Sequence, residues 1–190
     1  APVYICGLRQ NSSDRSNLAV LHAGKEGDSE VVLRLTIING DPANPSPMTL
    51  PDITLSAGEF HQFNSILASN GVSFANGYVR IERVSGQAPY YAYGVINDQV
   101  TSDGSFVPPL IPAQTSTMAI PSMVEAGPFT SELIATNYSA SQTKINFEFV
   151  ADAIQSVGST ARFDLTLRPG EQIIIPNLVQ WLREMGIPGV

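Results

Sequence analysis

The sequence contains little cysteine, little charge and no long apolar run. Its 190 residues include one cysteine, Cys6, which excludes an internal disulfide. Cys6 lies between Ile5 and Gly7 in an apolar run, a setting typical of a small buried hydrophobe in a strand. No window approaches the roughly 18 consecutive apolar residues of a membrane-spanning helix, so we expect no transmembrane segment.

Charged residues are scarce and mostly acidic. They make up 14% of the chain, and the net charge is -7, with ten lysines and arginines scattered singly. A surface without a basic stripe does not neutralise the phosphates of a polynucleotide, so we expect no nucleic-acid partner.

The sequence also lacks the motifs of common catalytic and metal sites. It contains no GxSxG motif and no pair of Cys or His residues at metal-ligand spacing. No carboxylate accompanies His22 or His61 at a spacing that fixes a general base, so both are predicted to be surface or hydrogen-bonded histidines. We therefore predict that the protein is not an enzyme and carries no cofactor.

Turn-forming residues and alternating apolar residues dominate what is present. The chain has 15 glycines and 14 prolines, which favours short strands joined by turns. Apolar side chains alternate with polar ones at 31–37, 145–149 and 163–167. Strands with one apolar and one polar face form antiparallel sheets that pack in pairs, so we predict an all-β protein made of antiparallel β-sandwiches.

A duplicated segment divides the chain. TLSAGE at 54–59 returns as TLRPGE at 166–171, and three upstream segments align in the same order. These pairs are PVYICG (2–7) with PSMVEA (121–126), SNLAVLHAG (16–24) with SELIATNYS (131–139), and VLRLTII (32–38) with INFEFVA (145–151). The repeated order predicts two tandem sandwich domains, 1–113 and 114–190, joined by the proline-containing segment 107–117.

Each copy of the duplicated turn contains a glycine, Gly58 or Gly170, that can adopt a positive φ and let the chain change direction or sheet. A short helical pattern follows each turn, at 64–69 and at 177–186. In the second pattern Asn177 is the predicted N-cap and Gly186 the predicted C-cap. The predicted apolar face of this helix comprises Leu178, Trp181, Leu182 and Met185.

The first half continues with two strands that the second half lacks. GYVRIERVSG (77–86) and APYYAYGVIND (88–98) form a predicted hairpin joined around Gly86 and Pro89. At the spacing of the repeat, its counterpart would begin near position 190. The second domain is therefore predicted to lack its last hairpin.

A domain without this hairpin leaves apolar side chains such as Phe147, Phe149 and Leu165 partly uncovered beside an unpaired sheet edge. Such an edge invites a strand from another chain, in a head-to-tail assembly or a swapped dimer. The competing interpretations are a truncated or proteolysed fragment and a naturally shorter second domain whose linker covers the edge.

Several segments of the chain resemble a tandem β-sandwich repeat of bacterial secreted or surface proteins. The similar segments are SNLAVLHAG, GYVRIERVSG, YGVINDQVTSDGSFVP, FTSELIATNYSA and TLRPGEQIIIP. In addition, LHAGKEGDSEVVLRLTI followed by ITLSAGE is similar to the sensory-rhodopsin transducer family, small soluble β-sandwich proteins. The first resemblance implies the fold and export to the cell exterior or surface, the second implies a shared sandwich fold only, and neither supplies catalytic residues.

Two groups of residues are candidate ligand sites. Tyr91 and Tyr93 lie on one face of a predicted strand and Tyr78 begins its predicted partner, an arrangement that suits stacking against a sugar or a protein. Cross-strand packing of aromatic side chains explains the same pattern.

The second group is the loop NDQVTSDGS, in which Asn97, Asp98 and Asp103 offer oxygens to a hard cation such as calcium. The alternative is a turn in which these side chains bond the backbone, and the sequence favours the turn.

The sequence thus leaves two functional hypotheses. The first is a non-catalytic extracellular structural or interaction module whose partners are other protein chains or copies of itself. The second is a carbohydrate- or calcium-binding accessory domain of a larger secreted protein.

Overall fold

The computed structural model describes residues 1–112, 117–151 and 160–187. Within them the regular structure consists of antiparallel strands, one turn of 3-10 helix (Ala68–Asn70) and one α-helix, α1 (Leu178–Glu184). The predicted all-β class is therefore confirmed. The chain divides into two compact units, Ala1–Gln114 and Thr115–Val190, called unit 1 and unit 2 below.

Unit 1 contains two antiparallel sheets. The first has the order β1-β7-β3-β4, with β5 also paired to β3, and the second has the order β6-β2-β8-β9. The strands of the first sheet are β1 (Val3–Leu8), β3 (Val31–Asn39), β4 (Met48–Thr49), β5 (Ile53–Leu55) and β7 (Gly77–Ser85). The strands of the second sheet are β2 (Asp14–His22), β6 (Phe60–Phe63), β8 (Tyr90–Asp98) and β9 (Gly104–Val107).

Both sheets of unit 1 contribute side chains to one hydrophobic core. In β3 every second residue points inward, and Val31, Leu33, Leu35 and Ile37 are all buried, as the alternating pattern predicts. The second sheet supplies buried residues such as Leu18 from β2. Removal of this apolar surface from water is the main stabilising contribution to unit 1.

The predicted hairpin at 77–98 is wrong, because β7 and β8 belong to different sheets. β7 pairs with β1 and β3, whereas β8 pairs with β2 and β9. Gly86, at φ 83°, begins the crossing, and a Cβ there would lie 2.0 Å from the carbonyl oxygen of Glu30. The two strands contribute their apolar faces to the core from different sheets instead of pairing with each other.

Unit 2 contains three two-stranded antiparallel sheets among its described residues. They pair β10 (Glu125–Ala126) with β11 (Phe129–Thr130), β12 (Leu133–Thr136) with β15 (Gln172–Ile175), and β13 (Thr143–Val150) with β14 (Thr160–Leu167). Residues 121–126, aligned with β1 by sequence, contribute only to β10. The two segments differ because β1 joins its sheet through β7, and no described residue of unit 2 forms a strand equivalent to β7.

The duplicated turn has the same structure in both units. Gly58 and Gly170 have φ values of 74° and 72°, as the sequence predicts. The backbone N–H of Ser56 donates to the Glu59 carboxylate at 2.8 Å, and that of Arg168 donates to the Glu171 carboxylate at 2.6 Å. In each unit the turn carries the chain from one sheet to the other, from β5 to β6 and from β14 to β15.

The strands on either side of this turn pair in the same register in both units. Leu18 lies opposite Phe63 in unit 1, and the aligned residues Leu133 and Ile175 lie opposite each other in unit 2. The backbone N–H of Leu178 donates to Ser131 at 2.9 Å, which repeats the bond from Ile66 to Ser16 in unit 1. Strands β2 and β6 therefore correspond to β12 and β15.

The structure shifts one of the sequence alignments by a residue. Val31 pairs with Leu55 in unit 1, and Thr143 pairs with Leu167 in unit 2. Because Leu55 and Leu167 differ by 112 positions, β3 and β13 also correspond at an offset of 112, not the 113 of the sequence alignment. The corrected offset places inward residues on inward residues, as the period of two requires.

The α-helix follows its predicted capping in part. The Asn177 side chain accepts a hydrogen bond from the Gln180 N–H at 3.1 Å, which confirms the N-cap. Leu178 and Leu182 are buried, but Met185 is 49% exposed and does not belong to the buried face. Met185 is the C-cap residue in a helical conformation, and Gly186 follows it at φ 73°. The side chain of Met185 therefore lies at the C-terminal end of the helix, outside its buried face.

Candidate functional site

The inward face of β13 and β14 is the most distinctive surface of unit 2. Ile145, Phe147 and Phe149 of β13 are only half-buried, and so are Phe163 and Leu165 of β14. We call these five residues the open face of unit 2. The equivalent positions of β3 in unit 1, Leu33, Leu35 and Ile37, are 0%, 0% and 1% exposed. The inward positions of β13 are therefore fully covered in unit 1 and partly exposed in unit 2, whereas the position of Leu165 is partly exposed in both, as Ile53 in unit 1.

Two of the five residues of the open face, Phe147 and Phe163, stack on each other. The rings of Phe147 and Phe163 lie parallel, with centroids 4.9 Å apart, and the Trp181 ring packs edge-on against Phe163 at 5.7 Å. Only Leu133, Ile175, Leu178 and Leu182 form the fully buried part of this core in the residues described. The core of unit 2 consists mainly of side chains that remain in partial contact with water.

Strand pairing explains the difference in burial. In unit 1, β3 has partners on both edges and so does β2. In the described part of unit 2, β13 pairs only with β14 and β12 pairs only with β15. The missing neighbours are those that β7 and β8 supply in unit 1. Each of the strands β12 and β13 thus has one edge without a partner strand among the described residues, called its open edge below.

Polar and charged side chains lie on the outer face of the β13–β14 pair. An open groove of about 590 Å³ is lined there by Asn146, Phe147, Glu148, Arg162 and Asp164. The Arg162 guanidinium lies 2.8 Å from the Glu148 carboxylate, and the Lys144 ammonium lies 2.6 Å from Asp164. These ion pairs are exposed, so they contribute little to stability and remain available to rearrange.

No family model, curated protein or solved structure matches this chain. Unit 1 can be compared with unit 2 because strands β2, β3, β5 and β6 share their order, register and connecting turn with β12 to β15. The two units differ in the burial of the open face and in the open edges of β12 and β13, and these features form the candidate site.

A second candidate surface lies on the outer face of the second sheet of unit 1. Tyr91 and Tyr93 project from β8 on the same side, with ring centroids 6.3 Å apart, while Tyr90 packs against the core. Phe106 of β9 lies 5.5 Å from Tyr93 and extends the row. Tyr91 is 42% and Phe106 59% exposed. The three rings form an accessible aromatic row.

Tyr78 does not share this surface, so its predicted grouping with Tyr91 and Tyr93 is wrong. It belongs to β7 in the other sheet, is 3% exposed, and its ring lies 6.3 Å from that of Tyr4. Burial raises the pKa of Tyr78 to about 12. The predicted grouping with Tyr91 and Tyr93 required β7 and β8 to pair, which they do not.

The aromatic row continues across the sheet through residues that the sequence did not single out. Leu21 of β2 lies opposite Tyr91, and Phe60 of β6 lies opposite Leu21. Phe60 is half-exposed on the surface of its strand. The alternation of apolar and polar residues around Leu21 and Phe60 is visible in the sequence. Their position beside Tyr91 depends on the pairing of β2 with β6 and β8, which is non-local.

The predicted calcium residues form a turn. The Asp98 carboxylate accepts hydrogen bonds from the N–H groups of Val100 and Thr101 at 2.6 and 2.9 Å. The amides of Thr101 and Val100 lower the pKa of Asp98 below its usual value. The Asp98 N–H donates to the carbonyl of Asp103, and Asn97 precedes the turn at the end of β8. Across the ranges described, no group of three or more His, Cys, Asp or Glu side chains is arranged to hold a metal.

The single cysteine and the two histidines lie in three different strands, Cys6 in β1, His22 in β2 and His61 in β6. Cys6 is buried in β1. His22 is also buried, with one ring nitrogen 3.0 Å from the carbonyl oxygen of Ser29 and the other accepting from the Gly24 N–H. His61 is exposed and packs edge-on against Phe63. Among the helices described, none is long and apolar enough to span a bilayer.

Proposed function

We propose that this protein is a non-catalytic extracellular interaction module built of two tandem β-sandwich repeats, and that unit 2 binds another chain by β-strand addition. One observation carries the proposal. Leu35 and Ile37 are fully buried in unit 1, where β7 pairs with their strand, whereas the corresponding Phe147 and Phe149 are partly exposed and their strand has no described partner on that edge.

The physical chemistry of an open edge supports strand addition. An unpaired edge presents alternate N–H and C=O groups that an incoming strand can satisfy, and the open face offers apolar surface to its inward side chains. Burying about 300 Å² of apolar surface contributes roughly 7 kcal/mol before the cost of ordering the partner. This gain is large enough to decide whether unit 2 is stable.

The extracellular location is supported by the resemblance to repeats of bacterial secreted and surface proteins. The single cysteine, Cys6, is buried and forms no disulfide, so it is compatible with an oxidising or a reducing compartment. Protease treatment of intact cells, with a cytoplasmic protein as control, tests this part of the proposal.

The binding test adds a synthetic strand to the full chain. A peptide of residues 76–86 carries the β7 sequence, and Trp181, the single tryptophan, reports the unfolding of unit 2 by fluorescence. A ligand present at about 100 times its Kd stabilises the folded state by about 2.7 kcal/mol, so we expect a higher unfolding midpoint.

The matched control is the same peptide with Val79→Asp and Ile81→Asp, which removes the apolar face and keeps the length. No stabilisation by either peptide contradicts strand addition. Sedimentation of the full chain shows whether a second copy supplies the strand. If β12 and β13 pair with another segment of the same polypeptide in the natural protein, the proposed contact with another chain is wrong.

A carbohydrate-binding function is the second candidate, and the aromatic row of Tyr91, Tyr93 and Phe106 favours it. Exposed rings on a flat sheet stack against the apolar faces of sugar rings. Affinity electrophoresis in polysaccharide gels tests it with Tyr91→Ala and Phe106→Ala, and Val100→Ala, at an exposed position outside the row, is the control. Equal mobility of all variants in every polysaccharide contradicts this candidate.

A further inference from the structure

The register of strand pairing in unit 1 specifies how a strand fits on β13. Leu35 of β3 lies opposite Ile81 of β7, and Ile37 lies opposite Val79. Between them on the outer face, Thr36 lies opposite Arg80. β7, the strand that pairs with this edge of β3, is thus antiparallel to it and directs two branched apolar side chains, Val79 and Ile81, inward.

The register transfers to unit 2 because the offset of 112 is fixed by an observed pair. Thr143 and Leu167 repeat the pairing of Val31 and Leu55 on the other edge of the same strand. At this offset Phe147 takes the place of Leu35, and Phe149 takes the place of Ile37. The residue at the position of Arg80 then lies opposite Glu148.

We infer that the strand bound to β13 runs antiparallel in the β7 register, with branched apolar residues opposite Phe147 and Phe149 and a cationic residue opposite Glu148. This inference rests on the proposed function and names the partner: an extended segment that alternates β-branched and polar residues. Aromatic and β-branched side chains are favourable cross-strand neighbours, and so are opposite charges.

The accessibility of the Glu148 carboxylate supports a cationic residue opposite it in the bound strand. The Glu148 side chain is 49% exposed and its present partner, Arg162, is 81% exposed, so the pair is accessible to solvent. In the β7 sequence a cation, Arg80, stands between the two inward residues Val79 and Ile81. An arginine in this place would lie opposite a carboxylate on β13, whereas in unit 1 Arg80 lies opposite Thr36 and forms an ion pair with Glu82 of its own strand at 3.0 Å.

Disulfide trapping at two positions of the full chain tests direction and register. Glu148→Cys and Val150→Cys change exposed side chains, so both variants are expected to fold. Each is mixed with peptides of residues 76–86 that carry a single cysteine at position 78, 80 or 82, in a glutathione buffer. The native Cys6 is 3% exposed and does not compete.

We expect Glu148→Cys to trap the peptide with Cys in place of Arg80 at least tenfold more than the other two. Val150→Cys is expected to prefer the peptide changed at Tyr78, because Ile38, its counterpart, lies opposite Tyr78. Preference of Val150→Cys for position 82 indicates a parallel strand and overturns the inference.

The outcomes separate this inference from the proposed function. If the unmodified peptide stabilises unit 2 but trapping favours other positions, the register is wrong and strand addition stands. If the peptide neither stabilises unit 2 nor is trapped, both are wrong. A peptide with Arg80→Glu is expected to bind several-fold more weakly, and equal binding removes the cationic position from the inference.

Discussion

Truncating the same inward position in the two units has different consequences. Leu35→Ala removes a side chain that is 0% exposed, and Phe147→Ala removes one that is half-buried and stacked on Phe163 at 4.9 Å. Leu→Ala in a complete core costs about 2–5 kcal/mol and Phe→Ala about 3–5 kcal/mol. Because Phe147 is partly exposed and packs against side chains that are themselves partly exposed, we expect Phe147→Ala to cost about 2 kcal/mol, less than in a complete core.

The assay follows each unit by its own signal. Urea unfolding monitored by Trp181 fluorescence reports unit 2, since that ring packs on Phe163. Amide exchange along β3 reports unit 1. Addition of the peptide of residues 76–86 is expected to raise the cost of Phe147→Ala toward about 3–5 kcal/mol and to leave the cost of Leu35→Ala unchanged. A full cost for Phe147→Ala in the chain without peptide refutes the reasoning, because it means that the side chain is already covered.

Three further predictions concern single residues. Gly58→Ala and Gly170→Ala are each expected to destabilise their unit by about 1–2 kcal/mol in urea unfolding, because both positions have a positive φ, and Gly58→Asn is expected to cost less. Chelator is expected to leave the melting temperature unchanged, since backbone amides already occupy the Asp98 carboxylate, and a fall that calcium reverses contradicts the turn. The pKa of Tyr78 is raised to about 12 by burial, so its contribution to stability is complete below pH 10 and is lost as pH rises through 12. Tyr78→Phe is expected to flatten the loss of stability over that pH range, and an unchanged slope speaks against a buried neutral phenol.

The local features of the fold could be predicted from the sequence. The alternation in β3, the positive φ of Gly58 and Gly170 and the Asn177 cap depend on a few neighbouring residues. The pattern of apolar residues likewise indicated that Phe147 points inward.

The assignment of strands to sheets could not be predicted in the same way. Two consecutive strands with apolar faces can pair side by side or cover a core from opposite sides, and the alternation in β7 and β8 is the same in both cases. The incorrect pairing of β7 with β8 assigned Tyr78 to the surface of Tyr91 and Tyr93. The sequence did not indicate Phe106, because its contact with Tyr93 depends on the pairing of β8 with β9. Non-local pairing, not local preference, decided both.

Residue-resolved amide hydrogen exchange along β13 tests the central claim most directly. In a strand paired on one edge, alternate N–H groups face the partner and the others face water. We predict that every second amide of residues 143–150 exchanges fast in the chain alone and slows when a strand of the β7 type is added. The amides of residues 31–39 in β3 are expected to exchange slowly throughout. Uniform protection of β13 in the chain alone, or fast alternate amides that persist with the added strand, contradicts the account.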